Sequence, residues 1–242
     1  MGSVLIDNWD LNSYSSGGIR TIVDKVDRPI APIEDSFENY NNNDGAVLEG
    51  VFYRNPELEI GFWIIGGTPE TRRNFLRSTI VPKTSGKAGH KIQFHDDGVR
   101  YYQAVRTGSL TTAEYIDSMY VLMKFKSLHP WMFGETRTFN ITSTAQAISF
   151  SGNTVTPISG NGTITASGSQ VTISTTLNPS TISWDATSGT QYSITFDSEK
   201  RTCNQVLRYN TSWLYANPAS STIRVQNASS VSLTVTLTDR WL

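Results

Sequence analysis

The 242-residue chain has one cysteine, Cys203, and therefore no intrachain disulfide, which fits assembly in a reducing compartment. No apolar run approaches the ~20 residues that a membrane-spanning helix needs. No charge dominates: 20 Lys+Arg against 21 Asp+Glu leave a net −1, which argues against a general attraction to nucleic acid or anionic membrane. The first residues have neither a basic n-region nor a long apolar segment, so no secretory signal is expected. Asn140, Asn161, Asn210 and Asn227 open Asn-x-Ser/Thr triplets. Without such a signal they read as chance products of a Ser/Thr-rich region.

The common catalytic signatures are also missing. There is no G-x-S-x-G, no H-E-x-x-H and no phosphate loop. Gly66-Gly67 precedes a helical pattern but lacks the lysine and further glycines of a phosphate cradle. All three histidines lie before residue 130, so Cys203 has no sequence partner and reads as an ordinary thiol. No cofactor is implied.

Apolar residues make up 38% of the chain and aromatics 11%, enough for packed cores. The composition changes near residue 130. Residues 1–130 hold 14 of the 20 Lys+Arg and 16 of the 21 Asp+Glu, while residues 131–242 hold 39 Ser/Thr in 112 positions. Two domains are expected, 1–130 and 131–242, with the seam around His129 to Glu135.

In the first half, 46–54 and 57–67 are apolar strand-like runs joined through Asn55-Pro56. Thr68 as N-cap and Pro69 at the first turn predict a helix that Pro82 ends. Leu76 and Ile80, with Phe75 alongside, give its apolar stripe. Arg72, Arg73 and Arg77 fall on other faces and read as solvated, with Glu70 placed to pair with Arg73. Residues 114–126 alternate as one long strand. Met119, Val121, Met123 and Phe125 take one side, and Tyr120, Leu122, Lys124 and Lys126 the other. At ~3.3 Å per residue it would span about 40 Å and need pairing from within the chain or from a neighbouring subunit. Residues 27–45 form a polar stretch with apolar anchors at Ile30, Ile33, Phe37 and Tyr40, expected to be an arm or binding loop.

The one cluster that suggests chemistry is His95-Asp96-Asp97. The flanking segments alternate, and Asp97-Gly98 predicts a two-residue hairpin. That register sets Phe94 opposite Tyr101 and His95 opposite Arg100. His90, five residues earlier, projects to the opposite face from His95. A zinc site needs three or four converging ligands, so the cluster reads as a bend and no metal site is expected.

The second half is a run of short strands separated by Gly, Asn, Pro and Ser clusters, the pattern of a β-sandwich or jelly roll. Trp184, Tyr192, Trp213, Tyr215 and Trp241 either pack its core or stack on sugar rings. Glu135, Asp185, Asp197, Glu199 and Asp239 are its only carboxylates. A glycan-cleaving enzyme would have to draw its pair from them, with Asp185 and Glu199 as the candidates.

Taken in order, "SVLIDNWDLNSY", "NDGAVLEGVFYRNPELEIGFWIIGG", the capped helix, "IQFHDDGVRYYQAVRTGSL" and "KFKSLHPW" resemble the distal tail (Dit) proteins of long non-contractile-tailed phages. The spacing from Phe94 to Ala104, F-x-D-D-x-x-R-Y-Y-x-A, is the most specific piece. "TSWLYANP" and "VTLTDRWL" resemble the family's C-terminal galectin-like domain. Where the family shows a Pro-Gly-x-Asn type turn after Trp213-Leu214, this chain has "ANPASSTI". The resemblance implies a mainly β protein: a tail-tube-like β-sandwich with one α-helix, then a galectin-like sandwich. It implies a non-enzymatic virion protein at the tail tip, assembled in the host cytoplasm as a homo-oligomer, a hexameric ring. Its implied partners are the tail tube protein and the tail-associated or receptor-binding proteins. Segments 114–126 and 27–45 are the expected ring contacts. A carbohydrate-binding protein that meets a cell-surface glycan through the second domain is the alternative.

Overall fold

The computed structural model describes residues 3–29, 33–39, 46–86, 88–142, 144–176, 180–218 and 220–242, with backbone alone at 33–39, 46–52 and 220. The chain divides into two compact units, Met1–Phe133 with Leu242, and Gly134–Trp241. The protein is mainly β, with its helix in the first unit.

The first unit opens with β1 (Val4–Ile6) and β2 (Trp9–Asp10), joined by Asp7 and Asn8 at φ 50° and 67°. Short polar side chains tolerate this left-handed turn, which suits a tight hairpin. There follow β3 (Ser15–Ser16), β4 (Ile19–Asp27), β5 (Ile33–Asn39), β6 (Ala46–Tyr53) and β7 (Glu57–Gly66). Next come α1 (Pro69–Phe75), a π-helical turn (Leu76–Ile80) and α2 (Val81–Thr84). β8 (His90–Phe94), β9 (Tyr102–Glu114) and β10 (Ser118–Ser127) complete the unit's main sheet.

That sheet has eight strands in the order β2-β1-β8-β9-β10-β7-β4-β3. Its strands share one buried cluster, from Val4 and Ile6 on β1 to Ile19 and Val23 on β4, with Phe75 and Ile80 of the helix. The sheet curls until its two ends enclose the same core. Met119, Val121, Met123 and Phe125 all face inward, as their alternation requires. The expected 114–126 strand is nevertheless two strands. Glu114 closes β9, residues 115–117 turn, and β10 pairs with β7 on one side and β9 on the other. β10 therefore has no open edge for a neighbouring subunit.

Part of the 27–45 stretch is also strand. β5 and β6 pair from Ile33↔Tyr53 to Asn39↔Ala46 as a separate two-stranded sheet. Ile30 and Tyr40, two of its expected anchors, lie outside the described residues.

The helix begins as its sequence dictates, with the Thr68 hydroxyl accepting from the Thr71 amide. It does not end at Pro82. The backbone widens to a π turn, in which the Val81 amide donates to Leu76 O, and continues to Thr84. Widening the turn relieves the clash of a proline ring with the carbonyl four residues back. Arg73 and Arg77 are exposed, as expected of a solvated face, and Arg72 alone departs from it. Arg73 pairs with Glu114 at 2.5 Å, a strand residue absent from any helical i,i+3 scheme. Arg72 is 0% exposed. Its guanidinium donates to four carbonyls: Gly66 and Gly67 at 3.2 and 2.9 Å, and Tyr115 and Ile116 at 3.0 and 3.1 Å. One cation thus ties the end of β7 to the β9–β10 turn.

On the outward face, Glu59 of β7 lies between Lys25 of β4 and Lys124 of β10, at 2.6 and 2.8 Å. Hydrogen bonds from Lys124 and then Lys25 hold its carboxyl down at about 2. Gly61, two residues on, leaves the space that Tyr120 occupies: a Cβ there would lie 2.0 Å from the Tyr120 hydroxyl.

The second unit is a two-sheet sandwich. In chain order its strands are β11 (Met132–Ile141), β12 (Ala145–Ser149), β13 (Thr156–Pro157), β14 (Ser159–Ala166), β15 (Gln170–Ser174) and β16 (Thr181–Asp185). The rest are β17 (Gln191–Asp197), β18 (Thr202–Cys203), β19 (Tyr215–Ala216), β20 (Ser220–Gln226) and β21 (Ala228–Trp241). One sheet runs β11-β21-β14-β17-β18, the other β12-β20-β15-β16, with β13-β19 as a short pair. Val231, Leu233, Val235 and Leu237 on β21 alternate inward against Ile173, Trp184, Ile223 and Val225. The intervening Ser and Thr face outward, which explains the composition of this half.

Two measurements test this account. Arg72→Met should lower unfolding stability by roughly 2–4 kcal/mol in denaturant titration, because it removes the buried donor that four carbonyls share. The folded-state pKa of Glu59 is depressed, so its stabilising contribution is present above the unfolded carboxylate value and lost as pH falls toward about 2. Between pH 5 and pH 2 the melting temperature of the native chain should therefore fall more steeply than that of Glu59→Gln. Parallel curves would refute this.

Candidate functional site

The His95-Asp96-Asp97 cluster forms a single 3-10 turn between β8 and β9, closed by Gly98 at φ 62°. The observed register is Ile92↔Tyr102 and His90↔Ala104, one residue away from the two-residue hairpin expected. Tyr101 is drawn elsewhere: its backbone exchanges two 2.8 Å hydrogen bonds with Phe133. Phe94 accordingly meets Tyr102, edge-on at 6.2 Å between ring centres.

Both carboxylates of the turn are spoken for. Arg28, just past β4, donates to Asp97 at 2.5 Å and to Asp96 at a still closer contact, and its guanidinium lies 5.0 Å from the centre of the Phe94 ring. The hydrogen bond from Arg28 holds the Asp96 carboxyl below its usual range. The link joins residues 68 and 69 positions apart, across the two ends of the curled sheet. It borders a cleft of about 530 Å³ lined by Ser3, Val4, Val26, Arg28, Phe94, His95 and Asp96. His95 is exposed at the mouth, whereas His90 is buried on the Ile92–Phe94 face with Nδ1 2.7 Å from Asp7. The two histidines do not converge. Among the described residues no group of three or more His, Cys, Asp or Glu side chains is placed to hold a metal ion.

The carboxylates of the second unit are each tied to a cation. Asp185 pairs with Arg208 at 2.6 Å, Glu199 with Arg240 at 2.5 Å and Asp197 with Lys200 at 3.1 Å. Arg137 lies between Glu135 and the buried Asp239, at 3.5 and 3.4 Å. Asp185 and Glu199 therefore serve separate ion pairs. Asp197 is the one carboxylate among the described residues lining a second cleft, about 280 Å³, whose other polar groups are hydroxyls and Asn161. Burial pushes the Cys203 thiol up, away from nucleophilic use.

Of the sugar-stacking candidates one is buried and four are partly exposed. Trp184 is 1% exposed, and Tyr192, Trp213, Tyr215 and Trp241 are half-buried. The exposed aromatic of this unit, among the described residues, is Tyr209 at 98%. Sequence reasoning passed over it because "LRYNTS" carries no period; only the fold shows this loop anchored to β16, through Arg208 N to Ser183 O and the Trp184↔Leu207 bridge. Arg28 was missed likewise, since nothing local marks a partner 68 residues away. Among the described residues no helix is long and apolar enough to cross a membrane.

No protein-family model and no curated protein sequence matches this chain. Solved structures do. The crystal structure of SPP1 Dit (gp 19.1), described as a paradigm of the hub adsorption apparatus in Gram-positive infecting phages, superposes with a TM-score of 0.76 over 100% of both chains, at 15% identity. The chain has the Dit fold. Chains from two structures of the phage P2 baseplate in its activated conformation, with Ca and with Sr, cover 97–98% of this chain at 8% identity. Their TM-scores of 0.48 and 0.47 are too low to support a fold argument.

If the turn is a receptor for Arg28, then Arg28→Ala should cost about 1–2 kcal/mol of stability. Amide exchange should rise at residues 95–100 and leave the second unit unchanged. Unaltered exchange in that turn would show that the contact holds nothing.

Proposed function

We propose that this chain is a structural hub protein of a phage tail: a Dit-type component that self-associates into a ring, continues the tail tube and carries the adsorption apparatus. The observation that carries the reading is the superposition on SPP1 Dit along the whole of both chains, including both units. The paired or buried state of the ionisable candidates supports a non-enzymatic role. Each candidate carboxylate is tied to a cation, and the turn that suggested chemistry is used to close a sheet. The first unit builds the ring, and the second, with its Ser/Thr-rich outer faces, decorates it. The ring is a hexamer, its partners are the tube and receptor-binding proteins, and it resides at the tail tip after assembly in the host cytoplasm.

Light scattering and negative-stain imaging of the purified chain test this directly. The expected species has about six chain masses and a ring outline, the closed form that head-to-tail contacts produce. A strict monomer at high concentration, with tube protein present, would overturn the reading.

A further inference from the structure

The hub reading gives no task to the smaller cleft of the second unit. About 280 Å³ in volume, it is built by three adjacent strands, β21, β14 and β17. Their register sets its side chains in two rows, Thr236–Ser159–Asp197 and Thr234–Asn161–Thr195. Ile194 and Phe196, which alternate with the β17 members, pack in the core, so the rows point outward. With strands ~4.8 Å apart and alternate residues ~6.7 Å apart, the six positions cover about 10 by 7 Å. That footprint suits a disaccharide.

The same face carries other hydroxyls, and those use one another. Thr136 meets Thr238 at 2.9 Å, and Thr234 donates to Asn140 at 3.2 Å. Inside the cleft, the side chains of Ser159, Asn161, Thr195 and Thr236 make no hydrogen bond among the described residues. Asp197 is held in place: one carboxylate oxygen accepts from the Glu199 and Lys200 amides at 3.1 Å each, and the other lies 3.1 Å from Lys200 Nζ. A carboxylate has about four acceptor sites, so Asp197 keeps capacity for a further donor. Three hydroxyls, an amide and an oriented carboxylate thus converge with their bonding capacity unspent.

We propose that this cleft binds a neutral, hydroxyl-rich glycan, with Asn161 and Asp197 as its main contacts and Ser159, Thr195 and Thr236 around them. Each class of ligand meets a different obstacle or opening here. An extended peptide would need a strand edge, but β14 is paired along both sides. A phosphate, sulfate or nucleic acid would need a cation, and none lines the cleft, while Asp197 repels anions. A sugar ring offers vicinal hydroxyls that both donate and accept, as this set requires. The ladder already fixes the strands, so little ordering is lost on binding. The sugar contact expected at the aromatic residues of this unit therefore moves to its hydroxyl face. The proposal does not depend on the hub reading; should the chain form a ring, the repeated cleft would add avidity to a weak single site.

The test is affinity electrophoresis of the full-length chain through gels that contain a neutral glucan, galactan or mannan, or the anionic polygalacturonate. Retardation is expected in at least one neutral polymer and not in the anionic one. Asn161→Ala and Thr236→Val, at partly or fully exposed positions where folding is undisturbed, should each weaken the association by roughly fivefold, the worth of one hydrogen bond. Thr138→Val, on the neighbouring strand outside the cleft, should leave it unchanged. No retardation in any neutral polymer overturns the proposal, as does retardation in polygalacturonate alone. Retardation that survives both cleft variants but is lost in Tyr209→Ala overturns it in favour of the exposed loop. The oligomer mass from light scattering judges the hub reading separately, and neither result decides the other.

Discussion

Backbone amides and carbonyls that leave water must find partners, and this requirement organises the first unit more than any side-chain preference. Where strands lie side by side the ladder meets it. Where the ladder stops, other groups take over: Arg72 covers four carbonyls at the end of β7 and the β9–β10 turn. The Thr68 hydroxyl takes an orphan amide at the helix start. Tyr101 and Phe133 satisfy each other's backbone and thereby shift the neighbouring hairpin by a residue.

The charges of the first unit serve the same construction. Arg28 spans the two ends of the curled sheet, Glu59 laces three adjacent strands through Lys25 and Lys124, and Arg73 ties helix to strand. A unit whose single sheet supplies both walls of its core has long-range joins to secure, and ion pairs there are specific in partner and geometry. The second unit has two sheets that meet face to face over one core, and its own long-range ion pairs, Arg137–Asp239 and Arg240–Glu199, tie β11 and the residues after β17 to β21. Its outer faces are Ser and Thr, and its compositional contrast with the first unit follows from architecture.

In the proposed hub role, what matters is surfaces held in fixed positions. The β9–β10 turn exposes Tyr115 and Ile116 at 54% and 89% on a backbone held from beneath by a buried guanidinium. Tyr209 stands on a loop pinned to β16. Apolar groups held rigidly lose little entropy on contact, which favours association.

Period-two alternation was fully legible in the sequence. It placed Met119 to Phe125 inward, marked the strands of the second half and gave the mainly β class, because burial on one face of a strand is a local property of the chain. The helix start was legible for the same reason: Thr68 and Pro69 act within one turn. What the sequence alone did not determine was every feature that depends on distant residues. The burial of Arg72, the Arg28 partner of the HDD turn, the hairpin register and the central position of β10 were all settled by the tertiary fold. A buried arginine and a solvated one have the same local sequence; carbonyls brought from 43 and 44 residues away make the difference.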